Sequence, residues 1–261
     1  MLLKDSAYLI LTLTRKEIVE RYRGGILGFA WLFLYPLLIL GIYTFVFSTI
    51  LQIKWNTGQD QTNVNFALLL FIGLTVHTFL SEIILKSPNL ILGNRDIVKK
   101  TPLPIEVFSI SCVVTALFNL LLSLFAWLLF FIFFQGLPSM PILWMPVVLL
   151  PLAILGLGIS LFMASLGVFF RDLNQISGLV VTALLFLAPV FYPLEAVPDH
   201  FRDIVYLNPI TFIIEQIRAI AVHGVNIAIR GYLTYFAVSL FVLFLGFTWF
   251  RITKKLFNDA I

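Results

Sequence analysis

The sequence predicts an all-α integral membrane protein with six transmembrane helices. Of its 261 residues, 61% are hydrophobic and only 11% are charged, whereas a soluble domain carries about 25% charged residues. Its mean hydropathy is +1.04. The apolar runs lack the alternation of barrel strands. Because lipid offers no hydrogen-bond partner to open backbone groups, these runs must be helical.

The six spans follow from the charge-poor segments, since a crossing requires about 20 apolar residues. The longest charge-free run is interrupted by the turn-forming sequence QGLPSMP at 135–141 and is therefore divided into two spans. We predict one transmembrane domain over 1–261, with spans at 31–51, 64–85, 106–134, 142–169, 174–192 and 232–250.

The fourth predicted span carries small residues at a spacing of four, Gly156, Ser160 and Ala164. Such spacing lets helices approach closely. We expect this face to pack within one subunit, and an interface between subunits is the less favoured alternative.

The orientation follows from the positively charged residues. With the N-terminus inside, 13 of the 17 Lys and Arg residues fall in cytoplasmic segments, which predicts that both termini are cytoplasmic. The pI of about 9.2 is then explained by these loops, without nucleic-acid binding. We find no cleavage-like site near the start and predict no cleavable signal peptide.

Residues 1–30 contain a basic amphipathic stretch that precedes the first span. Glu17 and Arg21, and likewise Lys16 and Glu20, are spaced four apart and are expected to interact. We predict a helix at the membrane interface. A positively charged flank that fixes topology is an equally weighted alternative.

The outer segment 193–230 is too polar to span the membrane, yet it contains a largely apolar stretch of twelve residues at 211–222. A run of that length suits an interfacial or re-entrant helix. Glu215 and Arg218, three apart on one face, are candidates for an outer gate. A lid or anchor at the headgroup level is the alternative.

The inner segment 86–105 is compact, basic and punctuated by prolines. Lys86 and three further basic residues accompany a single acid, which suggests a docking surface for a soluble partner. The alternative is a positively charged loop with no partner. The residues predicted to dock or to transmit movement are Arg95, Asp96, Ile97, Val98, Lys99, Lys100, Pro102 and Pro104.

Several kinds of chemistry are missing from the sequence. It contains neither a GxxxxGK[ST] phosphate loop nor an HExxH zinc motif. Cys112 is the only cysteine, so no disulfide is expected. We predict no catalytic residue, no metal and no cofactor in this chain. No charged residue lies in the middle of a predicted span, where ion-coupled transporters usually place one. If this protein moves a substrate, it must therefore take its energy from a partner.

Four motifs in register with the spans resemble one family. They are ERYRGGILGFAW at 20–31, NRDIVKKTPLP at 94–104, FFRDLNQI at 169–176 and APVFYP at 188–193. Together they are similar to polysaccharide-export permeases of ABC-2 type transporters, which export O-antigen, capsular polysaccharide or teichoic acid.

This resemblance implies a homodimer in the bacterial inner membrane, bound to two copies of a cytoplasmic ATPase that uses ATP and Mg. Each permease would form half of a channel for a lipid-linked glycan. The inner loop after the second span would act as the coupling helix that contacts the ATPase.

Two sets of residues are candidates for contact with such a substrate. Arg21, Arg23 and Arg171 have guanidinium groups suited to a lipid diphosphate, although ordinary anionic phospholipid would attract them equally. Aromatic rings can stack on sugar faces, but Trp and Tyr also form interfacial belts. The candidate channel aromatics are Trp31, Tyr35, Tyr43, Phe191 and Tyr192.

Two rival functions remain open. The first is an ABC-2 permease for another cargo, such as a drug or a lipid. The second is a membrane-embedded enzyme that processes a glycolipid, which would require acidic and histidine residues to converge at one face. The only outer residues available for that role are Asp199, His200, Asp203, Glu215 and His223.

Overall fold

The computed structural model describes residues 2–22, 28–43, 45–46, 50, 63–100, 104–222 and 224–257. Three residues named above, Arg23, Pro102 and His223, lie outside the described residues, as do the side chain of Lys100 and residues 44, 47–49 and 51 of the first predicted span.

The described residues form ten α-helices and several short 3₁₀ turns, and they contain no strand. The all-α prediction is therefore confirmed. The helices are α1 Leu2–Tyr22, α2 Trp31–Tyr43, α3 Asn63–Lys86, α4 Arg95–Lys100, α5 Glu106–Gln135, α6 Met145–Phe169, α7 Leu173–Phe186, α8 Asp199–Leu207, α9 Thr211–Ala221 and α10 Ile229–Thr253.

Four of the described helical stretches are long and apolar enough to cross a membrane. They contain α3, α5, α6 and α10 and match the second, third, fourth and sixth predicted spans. The bent pair of α8 and α9 passes the same test of length and composition when it is taken together, which gives up to five.

The first and fifth predicted spans contain apolar helices that are shorter than a crossing. In α2 the apolar part is Leu34–Tyr43, and α7 is Leu173–Phe186. The fifth span was expected to continue to 192. Its helix ends earlier because Pro189 follows three residues after Phe186, and proline removes a backbone donor and clashes with the preceding turn.

Helix α3 forms the centre of the bundle. Of its apolar window 78% is buried, against 17% for α10. Its fully buried side chains include Val76 and Ile83. The indole Nε1 of Trp127 on α5 donates a 3.0 Å hydrogen bond to the carbonyl of Leu68, so even the largest buried side chain has its polar group satisfied.

Small residues bring α6 into backbone contact with its neighbours. A Cβ on Gly246 would lie 2.2 Å from the carbonyl oxygen of Gly158, so α6 and α10 cross without intervening side chains. A Cβ on Gly156 would meet Ile83 of α3 at 2.7 Å. This face of α6 therefore packs within the chain, as the favoured interpretation of the spacing predicted.

The outer helices α8 and α9 meet at an angle of 96°. The side-chain amide of Asn208 donates a 2.9 Å hydrogen bond to the carbonyl of Leu184, which ties the bend to α7. Helix α9 coincides with the apolar stretch predicted at 211–222. Its isoleucines Ile213, Ile214, Ile217 and Ile220 are completely buried, so this helix is packed into the bundle.

Candidate functional site

A cleft opens at the inner end of the bundle between the end of α1, α2 and α3. Its main cavity has a volume of about 700 Å³ and is lined in part by Arg21, Trp31, Tyr35 and Glu82. A smaller cavity of about 150 Å³ shares Tyr35 and Glu82 and extends along α2 to Tyr43. We call the two cavities together the inner cleft.

The α3 wall of the inner cleft is polar although it belongs to an apolar span. His77, Thr78 and Ser81 line the cavity. The Nε2 of His77 lies 3.0 Å from the carbonyl oxygen of Val181 on α7, and the hydroxyl of Ser81 donates a 2.7 Å hydrogen bond to the His77 carbonyl. Polar groups therefore line part of the cavity, and those of His77 and Ser81 are hydrogen-bonded within the protein.

Charged residues close the end of the cleft nearest the inner loop. The side chain of Glu82 is only 10% exposed and accepts a 2.8 Å ion-paired hydrogen bond from Lys86. Arg21 also forms an ion pair with Glu82. The amide of Asn119 on α5 donates a 3.0 Å hydrogen bond to the second carboxylate oxygen. Burial of this charge is tolerated because both of its oxygens have partners.

Glu17 completes what we call the inner ionic cluster, formed by Glu17, Arg21, Glu82 and Lys86. Glu17 pairs with Lys86 and accepts a 3.0 Å hydrogen bond from the hydroxyl of Thr115. Glu17 and Arg21 were expected to interact along α1, but both reach across to α3. The expected pair of Lys16 and Glu20 is present at 3.8 Å on the exposed side of α1.

Helix α1 therefore lies against the ends of α3 and α5 through polar contacts. Thr14 is buried, and its hydroxyl lies 3.1 Å from that of Ser111 on α5. The apolar side chains of Tyr8 and Leu11 are exposed. Arg15, Lys16 and Glu20 are exposed as well, whereas Leu13, Ile18 and Val19 are half-buried, so the exposed side of α1 is of mixed character and both polar and apolar residues face the bundle.

The structure brings three of the five candidate channel aromatics to the inner cleft, namely Trp31, Tyr35 and Tyr43. The other two lie at the outer end of α7. The ring of Phe191 packs against Phe186 with centroids 6.2 Å apart, and the hydroxyl of Tyr192 donates a 3.0 Å hydrogen bond to the Phe186 carbonyl.

Of the candidate arginines, Arg21 lines the inner cleft and Arg171 does not. Arg171 is exposed in the turn between α6 and α7. Because Arg21 is already paired with Glu82, a diphosphate would have to compete with that carboxylate for the guanidinium.

The inner loop consists of two 3₁₀ turns followed by α4. Arg95, Asp96 and Lys99 are exposed and face outward. Ile97 and Val98 are half-buried, and Val98 packs against a cluster of buried residues that includes Ile91. Pro104 is exposed just before α5. The described charged side chains of α4 are therefore its exposed ones.

The predicted outer pair forms, but Arg218 is buried. Only 4% of its side chain is exposed, and it pairs with Glu215 at 3.0 Å. Its Nε donates to the carbonyl of Leu69 on α3 at 3.1 Å, and its Nη atoms donate to the carbonyls of Pro189 and Val190 at 2.5 and 3.0 Å. This geometry fastens α9 to α3.

The residues that a glycolipid enzyme would need are not gathered into a site in the described part of the chain. Asp199 pairs with Arg202 at 2.8 Å and Glu215 pairs with Arg218. Among the described residues, no group of three or more His, Cys, Asp or Glu side chains could hold a metal ion.

Sequence reasoning did not identify His77, Asn119 or the inward role of Glu17. His77 was passed over because no second histidine is near it in the sequence. A polar residue inside an apolar run, four positions before Ser81 and five before Glu82, was the signal that marked this face of α3.

Comparisons with known proteins extend the resemblance. The family model described as ABC-2 type transporter matches residues 8–222. The O-antigen export system permease protein RfbA of Myxococcus xanthus is 31% identical over 214 residues, which cover 81% of this chain and 79% of that protein. A permease of the same name from Klebsiella pneumoniae is 27% identical over 219 residues, covering 83% and 81%. The chain belongs to the ABC-2 type transporter family.

Proposed function

We propose that this chain is the channel-forming transmembrane subunit of an exporter driven by ATP, which moves a lipid-linked polysaccharide of O-antigen type across the bacterial inner membrane. The inner cleft is the observation that carries the proposal. It combines aromatic rings with hydrogen-bonding groups beside the apolar helix α3, and an apolar drug or lipid tail would not need the hydrogen-bonding groups. The similarity to O-antigen export permeases over four fifths of the chain supports the same cargo.

The energy is proposed to come from a separate cytoplasmic ATPase that binds ATP and Mg. The chain has no phosphate loop of its own. Its exposed inner loop offers Arg95 and Lys99 to an acidic surface. The functional unit is then a homodimer of permeases with two ATPase copies, and both permease termini lie in the cytoplasm.

The partner is tested by charge reversal at Lys99. The chain is co-expressed with a candidate ABC ATPase from the same organism, and the detergent-solubilised complex is purified through a tag on the permease. Lys99→Glu is expected to remove most of the co-purifying ATPase activity, because it places a negative charge against an acidic surface. Lys255→Glu, at an exposed position beyond α10, serves as the matched control and is expected to retain it.

The cargo is tested by removing two rings from the inner cleft. Trp31→Ala and Tyr35→Ala are expected to lower export of labelled lipid-linked glycan from proteoliposomes while the ATPase stays bound. Phe241→Ala, at an exposed aromatic position of α10, is the control. Normal glycan export by both cleft variants, or export of a drug instead of glycan by the wild type, would overturn the assignment of cargo.

A further inference from the structure

The first turn of the inner loop, Ser87–Asn89, is built into α6. Ser87 is completely buried, and its hydroxyl donates a 2.9 Å hydrogen bond to that of Ser160. A Cβ on Gly167 would lie 2.0 Å from the carbonyl oxygen of Pro88 and 2.6 Å from its Cα. The backbone of the turn therefore rests directly on the backbone of α6, with no space for a side chain between them.

The same segment is attached to α7 and α10. The side-chain amides of Asn89 and Asn174 exchange two hydrogen bonds of 2.9 and 3.2 Å, which tie the turn to the first residues of α7. Ile91 is 1% exposed and belongs to a buried cluster with Phe250 of α10 and Phe257 just beyond it. The turn thus has two points of attachment, on α6 and α7, and Ile91 just beyond it adds a third on α10.

Pro104 is a second route by which movement of the inner loop could reach the membrane helices. The two prolines before α5 were expected to pass movement of the loop to the third span. Pro104 is exposed, whereas Ser87 and Pro88 are buried. Close-packed contacts without voids transmit displacement because they cannot be compressed. The buried turn is therefore the stiffer connection between the exposed charges of the loop and the membrane helices.

From these contacts we infer that movement of the inner loop enters the membrane through α6 and α7, and that Gly167 and Asn174 are the residues that position the Ser87–Asn89 turn for this purpose. The inference rests on the proposed function, since the movement is supplied by the ATPase at Arg95 and Lys99. It assigns to the Gly167 contact a role in coupling that is separate from holding the bundle together.

The test compares three Gly→Ala variants in the purified complex with its ATPase. In Gly167→Ala the new methyl group must displace the turn. In Gly158→Ala a Cβ would lie 2.7 Å from the Leu243 backbone, an overlap on the same helix but against α10. In Gly178→Ala the Cβ meets nothing within 4 Å. ATP hydrolysis and glycan export are measured in proteoliposomes, and their ratio is the readout.

Gly167→Ala is expected to lower glycan exported per ATP hydrolysed by about ten-fold, within the usual range of coupling between two sites, while ATP hydrolysis continues. Gly158→Ala is expected to lower the yield of folded complex and to leave the ratio unchanged. Gly178→Ala is expected to change neither. An equal loss of coupling in Gly158→Ala and Gly167→Ala would attribute the effect to α6 packing in general and would refute the inference.

A milder perturbation covers the case in which Gly167→Ala does not fold. Asn89 and Asn174 are exposed, so replacing either by alanine leaves the core intact. Each single variant is expected to lower the export ratio, and the double variant no further, because both remove the same pair. An unchanged ratio in both single variants refutes the inference. Failure of the wild-type chain to bind an ATPase at all would instead refute the proposed function.

Discussion

Replacement of Arg218 by methionine is expected to loosen the outer end of the bundle. Methionine keeps much of the length and packing of the arginine side chain but has no donor and no charge. In the native structure the guanidinium binds three backbone carbonyls, those of Leu69, Pro189 and Val190, and also Glu215. All of these acceptors lose their charged partner at once.

The magnitude follows from the burial of the arginine. Removing one member of a buried, hydrogen-bonded ion pair costs about 3–5 kcal/mol, because the remaining groups stay desolvated. Arg218 has a side chain that is 4% exposed, while Glu215 is 34% exposed and recovers part of its hydration. We therefore expect the free energy of unfolding to fall by about 3 kcal/mol, near the lower end of that range.

Arg202 provides a matched control on the neighbouring helix α8. It also binds two carbonyls, those of Val197 and Glu195, and one carboxylate, that of Asp199. Its side chain is 38% exposed. Because water replaces the lost partners there, Arg202→Met is expected to cost at most about 1 kcal/mol.

Both variants are unfolded in mixed micelles by titration with a denaturing detergent, and the transition is followed by tryptophan fluorescence. The indole of Trp127 is bonded to α3 and reports on the centre of the bundle. Equal destabilisation by Arg218→Met and Arg202→Met would contradict the reasoning, since it would show that burial of the guanidinium does not determine the cost.

Two further predictions follow from contacts of α3. Gly73→Ala is expected to destabilise the fold by about 1–3 kcal/mol, because a Cβ would lie 3.0 Å from the fixed guanidinium of Arg218 and 3.2 Å from the Val190 backbone; Gly178→Ala, in open space, is expected to stabilise it by up to about 1 kcal/mol in the same titration. Glu82→Gln is expected to speed amide hydrogen exchange in α1 and to leave exchange in α10 unaffected. In this variant Glu17 is the one acid of the inner ionic cluster that remains to pair with Arg21 and Lys86. Unchanged exchange in α1 would show that the pair of Glu17 and Lys86 is sufficient to hold that helix.

The helical class and the centres of the spans were predictable, because lipid restricts the chain to helices and each span must be apolar. The ends were less predictable. The shortening of α7 is caused by Pro189, and that proline could have been weighed more heavily. The depth of α9 could not be inferred. The twelve apolar residues at 211–222 would fit a helix on the surface equally well. The sequence does not show that the guanidinium of Arg218 binds the carbonyls of Leu69 and Pro189, and these bonds hold α9 inside the bundle.

The candidate site was predicted in part, for a similar reason. Trp31 and Tyr35 were named from their residue type and their place near a membrane interface, and both line the inner cleft. Glu17 was paired with Arg21 because the sequence shows only neighbours along one helix. Its contact with Lys86 joins residues 69 positions apart. Pairings of that range depend on how helices pack, which periodicity does not specify.

The two groups of charges together determine which helices can move. Helix α3 is fastened at its outer half by Arg218 through Leu69 and at its inner end by Glu82 and Lys86. Displacing it would break several charge-assisted hydrogen bonds at once. Helix α7 is joined to the same stretch by the single contact of His77 with the Val181 carbonyl among the hydrogen bonds described. We therefore expect α7, which holds Asn89 of the inner loop through Asn174, to move against a stationary α3. The inner cleft is bordered by α2 and not by α7, so we expect it to widen by movement of α2.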